Sequence, residues 1–310
     1  MKIENGILIT IEPSDIDVLG KCVIPFGVTG VCAEAAANNN KLSTIVLPHT
    51  LQYIGDAAFM RCTNLKTIDV PNSVTDIGAY AFAHCDTLSN ITFGQSLQRI
   101  CDHAFLGCIH LRSVSIPNGV HTLESAVFQN CLSLDSVYIG EGPRETGRQA
   151  FAGCNQLTKI CLPQSLRNIN AGAFQGCKQL TSVELPPNLI AIEHSAFFGC
   201  SSLESVIIPK NVSTIYNSAF ACCTSLTDIT FPDGLKRIGA YAFSRCESLK
   251  CVTIPKHTVY HGAFEDCHAD FVIMKSNTVS EKLNNLFDKA INSKFSDQKN
   301  ESPIISETER

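Results

Sequence analysis

The chain has 310 residues, 45% of them apolar and 17% charged, and its 24 Lys and Arg against 29 Asp and Glu give a formal charge of −5. This balance argues against nucleic acid as a ligand, because a phosphate-binding surface needs a basic excess or a basic stripe. No segment approaches the ~18 consecutive apolar residues of a membrane span, so the sequence predicts none. The first residues place acidic side chains around a short apolar run, which makes a poor signal peptide.

Residues 1–18 precede a long repetitive region and are predicted to form its N-terminal cap, as a strand or hairpin. A repeat array exposes core residues at its ends, and an atypical terminal unit must shield them. The repetitive region itself is predicted over residues 19–274, with about eleven units in one domain.

The repeat is defined by a phenylalanine that recurs every 23 residues, with a tenth copy after 21. Those positions are Phe59, Phe82, Phe105, Phe128, Phe151, Phe174, Phe197, Phe220, Phe243 and Phe264. The full unit is L-x-x-I-x-I-P-x-x-V-x-x-I-x-x-x-A-F-x-x-C. We expect the phenylalanines to stack as an apolar spine.

The first part of the unit alternates apolar and variable residues, as a strand with one buried face does. Proline then ends the strand, since it cannot donate to a ladder, and the A-F-x-x-C segment returns the chain as a loop or one helical turn. One unit cannot bury its own apolar face, whereas stacked units can. The sequence therefore predicts an α/β-type repeat solenoid, mostly strand and loop. Its parallel sheet of short strands would form a rod or arc ~50 Å long at ~4.8 Å per coil.

The spacing and the I-P, A-F and C landmarks over residues 19–267 resemble the BspA-like leucine-rich repeat family, and residues 2–8 resemble the strand that often caps such arrays. Known relatives are frequently surface or secreted proteins that bind host or matrix proteins, so the resemblance implies protein binding. Many bacterial relatives carry an export signal, and this chain shows none.

Ten of the sixteen cysteines occupy one repeat position, three residues after each phenylalanine. We expect them to point inward as reduced thiols, which suit a small apolar site. A disulfide ladder and metal ligation are the alternatives, although no C-x-x-C motif occurs. Cys161 and Cys251 fall at variable strand positions, where a thiol can be exposed.

The last repeat gathers four side chains that could bind zinc: His257, His261, Cys267 and His268. Ordinary surface histidines are the alternative. The sequence predicts no metal site and no cofactor. It also lacks the phosphate-loop, nucleophile-elbow and zinc-protease motifs, as well as a concentrated carboxylate pair, so no catalytic residue and no enzyme is predicted.

The variable strand positions of a solenoid project from an extended face that can bind a partner. Most of them hold Ser or Thr, and the larger side chains are Tyr138, Lys159, Glu184 and Ile207 in adjacent middle coils. Aromatic and long side chains anchor interfaces more often than serine does. These four residues are predicted to centre a partner-binding patch; the alternative is an inert solvated face.

One unit, residues 140–148, breaks the repeat by placing Pro143 and Thr146 at its two apolar positions. This coil is therefore expected not to pack as its neighbours do. Arg144 and Arg148 are candidate partner-binding residues if it is a contact loop. The alternative is a degenerate or bulged loop.

The C-terminal region begins with residues 275–295, where apolar positions over 279–294 fall on one helical face behind a capping box at Thr278 and Glu281. This segment is predicted to be an amphipathic helix that packs on the last coil, with partner or membrane-surface binding as the alternative. Residues 296–310 are polar and are predicted to be a disordered tail.

Together these features predict a non-enzymatic protein-interaction module, monomeric, that binds an unidentified partner protein through the sheet face or its rim. Without a recognisable signal peptide we expect it to be cytoplasmic where it is made. The alternatives are export without an N-terminal signal as a bacterial effector, and a surface adhesin-like protein.

Overall fold

The computed structural model describes residues 1–268 and 272–276. The chain winds into successive coils, and each regular coil contributes one short strand to each of two rows. The first row comprises the L-x-x-I-x-I segments, and the second row comprises the V-x-x-I segments.

The strands of the first row are β3 (Lys21–Val23), β5 (Thr44–Val46), β7 (Thr67–Asp69), β9 (Asn90–Thr92), β11 (Ser113–Ile116), β13 (Ser136–Ile139), β14 (Lys159–Cys161), β17 (Ser205–Ile207), β19 (Asp228–Thr230), β21 (Cys251–Pro255) and β22 (Val272–Ser276). They form four sheets in chain order, β3-β5-β7-β9, β11-β13-β14, β17-β19 and β21-β22. All of these strand pairs are parallel.

The strands of the second row are β4 (Gly30–Val31), β6 (Tyr53–Ile54), β8 (Asp76–Ile77), β10 (Arg99–Ile100), β12 (Thr122–Leu123), β15 (Asn168–Ile169), β16 (Ala191–Ile192), β18 (Thr214–Ile215) and β20 (Arg237–Ile238). They form two sheets that are separated between β12 and β15. Each residue pairs with the equivalent residue one repeat later, as Ile54 does with Ile77.

The N-terminal hairpin consists of β1 (Lys2–Glu4) and β2 (Ile7–Thr10), which pair antiparallel. Asn5 and Gly6 join them at φ values of 50° and 77°, as a two-residue hairpin turn with positive φ at both central positions requires. Strand β2 pairs in parallel with β4, so the hairpin covers the first strand of the second row. A 3-10 turn follows at Pro13–Asp15, and it is the sole helical element of the described residues.

The phenylalanine spine predicted from the repeat is confirmed. Consecutive rings from Phe59 to Phe264 lie 5.1–5.6 Å apart between centroids and are within 18° of parallel. Offset stacking of this kind adds to the stabilisation that burial provides. The predicted parallel-strand solenoid is likewise confirmed.

The A-F-x-x-C segment is a turn in which two residues have left-handed backbone conformations. They lie two residues before and two residues after each phenylalanine of the spine, with φ between 52° and 75°. Arg61 and Gly199 occupy the second of these positions in two coils, at 58° and 71°. The sequence predicts either a loop or one helical turn for this segment, and the structure shows a turn with two left-handed residues.

The irregular unit at residues 140–148 buries the two residues that break its pattern but does not pair as its neighbours do. Pro143 is buried and Thr146 is 0% exposed, and the Thr146 hydroxyl accepts a hydrogen bond from the Asn170 amide at 3.0 Å. The coil does lose its second-row strand, because Glu145 makes only an isolated bridge to Asn168.

At the C-terminal end, β22 ends at Ser276, two residues inside the segment predicted as helix over 275–295. The predicted helical face over 279–294 and the tail over 296–310 lie outside the described residues.

Candidate functional site

One coil lacks a strand in the first row. Between Lys21 and Pro255 every other coil contributes one, whereas residues 182–185 make only an isolated bridge from Ser182 to Ser205. The sequence marks this coil with Pro186-Pro187, two consecutive residues that have no amide hydrogen. The first row is therefore interrupted between β14 and β17.

Some backbone groups of this coil have no hydrogen-bond partner among the described residues. In a regular coil Ile208 donates its amide to the Thr230 carbonyl of the next coil at 2.9 Å. Leu185 is the equivalent residue one repeat earlier, and among the described residues its amide has no acceptor, as is also the case for the equivalent Leu162 and Phe231 amides. Neither the amide nor the carbonyl of Glu184 has a backbone hydrogen-bond partner among the described residues.

Two hollows flank the strandless coil. The first hollow lies between residues 182–187 and 205–210, has a volume of about 700 Å³, and is lined by Leu185, Ile207 and Lys210 among others. The second hollow lies between residues 158–164 and 182–187, has a volume of about 500 Å³, and includes Lys159 and Cys161. Glu184, Leu185 and Pro187 border both.

Three of the four predicted patch residues line these hollows. Lys159 borders the second, Ile207 the first and Glu184 both. Tyr138 is half exposed but lines neither; it pairs in register with Cys161, one coil before the second hollow. Lys159 pairs with Ser136, which lies two residues before Tyr138 in the same strand. Lys159 therefore lies in the adjacent column of the same face.

The two predicted arginines lie elsewhere on the solenoid. Arg144 borders a separate hollow of about 350 Å³ near the second row, together with His121 and Glu145. The Arg148 carbonyl accepts the amide of Ala126 in the adjacent turn. The structure does not bring these arginines into the Glu184 hollows.

Sequence reasoning missed Leu185, Pro187 and Lys210 as parts of the site. Leu185 falls at an apolar position of the strand pattern, which predicted a buried side chain, whereas Pro187 and Lys210 fall beyond the strand at positions that carry no alternation signal. The doubled proline was the available signal, because every other prolyl turn of the repeat has a single proline.

Nine of the ten column cysteines are buried, as predicted, Cys267 at the end of the column is partly exposed, and all sixteen cysteines are free. Burial raises the pKa of Cys108, Cys154 and Cys200 to about 12. These thiols therefore stay protonated and unreactive at neutral pH. Cys161 and Cys251 are exposed, in agreement with their variable strand positions, and Cys161 borders the second hollow.

The C-terminal histidine and cysteine cluster does not assemble. His257, His261, Cys267 and His268 all belong to the described residues, within which no three His, Cys, Asp or Glu side chains group to hold a metal ion. Cys267 instead donates its thiol to the Phe243 carbonyl at 3.1 Å.

The repeats that form these coils match a known protein family. The profile described as BspA type Leucine rich repeat region, with six copies, matches residues 31–158 and 144–270. The chain belongs to the BspA-type leucine-rich repeat family. Leucine-rich repeat proteins are generally non-enzymatic, and this family indicates a protein-interaction or surface-repeat role.

Solved structures of bacterial leucine-rich repeat proteins resemble this BspA-type chain. A leucine-rich repeat protein from Bacteroides ovatus is 26% identical with a TM-score of 0.53, covering 83% of this chain and 84% of its own. The pneumococcal vaccine antigen PcpA is 20% identical with a TM-score of 0.49, covering 84% and 80%. No curated protein matches in sequence. In the part of the chain that the structure describes, no helix has the length and apolar character to cross a bilayer.

Proposed function

We propose that this BspA-type repeat protein is a non-enzymatic protein-interaction module that contacts its partner through the two hollows beside Glu184. The strandless coil supports this proposal best. It is the one first-row coil between Lys21 and Pro255 that has no strand, and it lies beside an exposed aliphatic side chain, Ile207 at 71% exposure, which lines the first hollow together with Leu185 and Glu184.

The energetics of such a surface favour a protein ligand. Covering an exposed aliphatic side chain contributes about 25 cal/mol for each Å² of apolar area removed from water. Concave apolar positions rimmed by charged residues are where interface hot spots cluster. Lys159, Glu184 and Lys210 supply that charged rim.

The test is affinity capture of partner proteins with the full chain and matched variants, quantified by mass spectrometry. Ile207→Asp places a charge in the first hollow, whereas Thr230→Asp makes the same change at the residue that pairs with it one coil later. We expect a specific partner to be recovered by the wild type and by Thr230→Asp, and at least tenfold less by Ile207→Asp. Equal recovery by all three proteins would remove the hollows from the binding site.

We also infer that the protein works in a reducing compartment, in line with the cytoplasmic localisation expected from the sequence. Its sixteen free cysteines include two exposed ones, a composition that oxidising compartments cross-link. Alkylation of fresh cell lysate followed by mass spectrometry should find Cys161 and Cys251 as free thiols. Disulfide-linked forms at either position would contradict the inference.

A further inference from the structure

We propose that the strandless coil at residues 182–187 binds an extended peptide segment of the partner, which carries a basic side chain for the Glu184 carboxylate and an aliphatic side chain for the first hollow. This inference rests on the proposed function and specifies its ligand. Three properties of the coil support it: unpaired backbone groups, an unpaired acidic side chain and an apolar recess.

The backbone groups suit a ligand that is itself extended. Main-chain hydrogen bonds to an exposed strand segment are a general mode of peptide recognition, in which side-chain pockets add the specificity. The Glu184 amide and carbonyl and the Leu185 amide are not used by neighbouring coils in the described structure. Glu184 is exposed and Leu185 is partly exposed, so a peptide can reach both.

The charge favours a basic side chain near the middle of the peptide. Glu184 borders both hollows, and no described Lys, Arg or His lies within ion-pair distance of its carboxylate. Lys159 borders the second hollow and Lys210 the first. An exposed ion pair adds little affinity, but it selects the partner by the sign of its charge and orients it.

The apolar recess favours an aliphatic side chain next to that basic one. Leu185, Ile207 and Ile208 line the first hollow, and Ile207 is the most exposed of them. Alternate side chains on one face of an extended peptide are ~7 Å apart, since each residue advances ~3.4 Å. A basic residue and an aliphatic residue two positions apart can thus reach Glu184 and the first hollow together.

The experiment uses the full chain as bait for a random 12-residue peptide library displayed on phage. We expect enriched peptides that carry Lys or Arg two positions from Leu, Ile or Val. Synthetic versions should bind at least tenfold more weakly to Glu184→Lys, and changing the peptide's basic residue to Glu should restore binding to that variant. Glu204→Lys is the matched control, because this exposed residue makes the same charge change outside the hollows; it should bind within twofold of wild type.

Hydrogen exchange of single amides adds a measurement that a contact through side chains alone would not change. Bound peptide should slow exchange of the Leu185 amide at least tenfold and leave the Val70 amide unchanged, because Val70 lines neither hollow and its amide is already bonded to Thr92. Unaltered exchange at Leu185 would overturn backbone recognition.

The remaining outcomes separate this inference from the proposed function. Enriched peptides that ignore Glu184→Lys, or a library that yields no specific peptide, overturn the peptide proposal. If Ile207→Asp still abolishes partner capture in that case, the hollows bind a folded protein surface and the proposed function stands. If partner capture is also unchanged, both fail.

Discussion

The thiol of Cys108 donates a hydrogen bond to the carbonyl oxygen of Phe82 in the preceding coil, 3.2 Å from the sulfur. The same contact repeats along the column from Cys62 to Cys267, at 3.1–3.3 Å. The Phe82 carbonyl also accepts the Cys85 amide at 3.2 Å, so the thiol is its second donor. The cysteine therefore fills a small apolar site and places its own S–H on a buried acceptor, which alanine would not do.

Replacing Cys108 by alanine should lower the free energy of unfolding by about 1–2 kcal/mol, because it opens a small void and removes the thiol hydrogen bond to the Phe82 carbonyl, which keeps only the Cys85 amide as donor. Urea unfolding followed by circular dichroism measures the change. Cys161→Ala is the control, since this exposed thiol makes no such contact, and it should stay within about 0.5 kcal/mol of wild type. A loss as small as the control's would mean that the thiol hydrogen bond contributes nothing.

Stability should fall at alkaline pH because the column thiols are protonated in the folded state. Burial raises the pKa of Cys108 from the ordinary 9.0 to about 12. Its stabilising contribution is thus complete below pH 9 and is lost as the pH rises from about 9 toward 12. In this range the thiol loses its proton in the unfolded chain but keeps it in the folded chain, so deprotonation favours unfolding.

We expect the urea midpoint of the wild type to decrease between pH 8 and pH 10.5, and to decrease less in a Cys108→Ala, Cys154→Ala double variant. At pH 8 a thiol reagent should label Cys161 and Cys251 in the native protein and the column cysteines only after denaturation. Rapid native labelling of the column would disprove its burial.

The sequence allowed the solenoid, the spine and the inward cysteines to be predicted because each depends on periodicity, which 23-residue spacing makes visible. It also selected Lys159, Glu184 and Ile207, since unusual side chains at variable strand positions lie on one face. It did not reveal that residues 182–185 lose their strand. Strand pairing depends on small displacements between neighbouring coils, and Val183 and Leu185 retain the apolar pattern of a strand.

The irregular coil could be predicted only in part, for a related reason. Pro143 and Thr146 at its two apolar positions predicted that it would not pack as its neighbours do, and it does lose its second-row strand, but the burial of both residues could not be predicted. In the folded chain the buried Thr146 hydroxyl accepts a hydrogen bond from the Asn170 amide. A hydrogen bond between coils cannot be read from one coil's own sequence.

The left-handed turn positions predict opposite effects for two substitutions at equivalent sites. Gly199 has φ +71°, and a Cβ there would meet only ordinary contacts at 3.9 Å from Gly176, so Gly199→Ala should cost about 1 kcal/mol through backbone strain alone. Arg61 has φ 58° at the same turn position, and Arg61→Gly relieves that strain. Thermal or urea unfolding should show the first variant destabilised and the second neutral or slightly stabilised. Equal destabilisation by both would show that the turn does not depend on left-handed geometry.

Close approach between coils makes Gly147 the most demanding position of the irregular unit. A Cβ at Gly147 would lie 1.8 Å from the Glu124 carbonyl oxygen, a backbone atom that cannot move aside without displacing its coil. Gly147→Ala should therefore lower the unfolding free energy by about 3 kcal/mol, at the upper end for overpacking. Gly234→Ala is the matched control: its Cβ would meet only the Lys210 carbonyl at 3.8 Å, so its unfolding free energy should change by less than about 0.5 kcal/mol. Comparable urea midpoints for the two variants would mean that residues 140–148 do not press against the preceding coil. A selective loss in Gly147→Ala would establish that glycine, rather than apolar side chains, lets this unit stack in register.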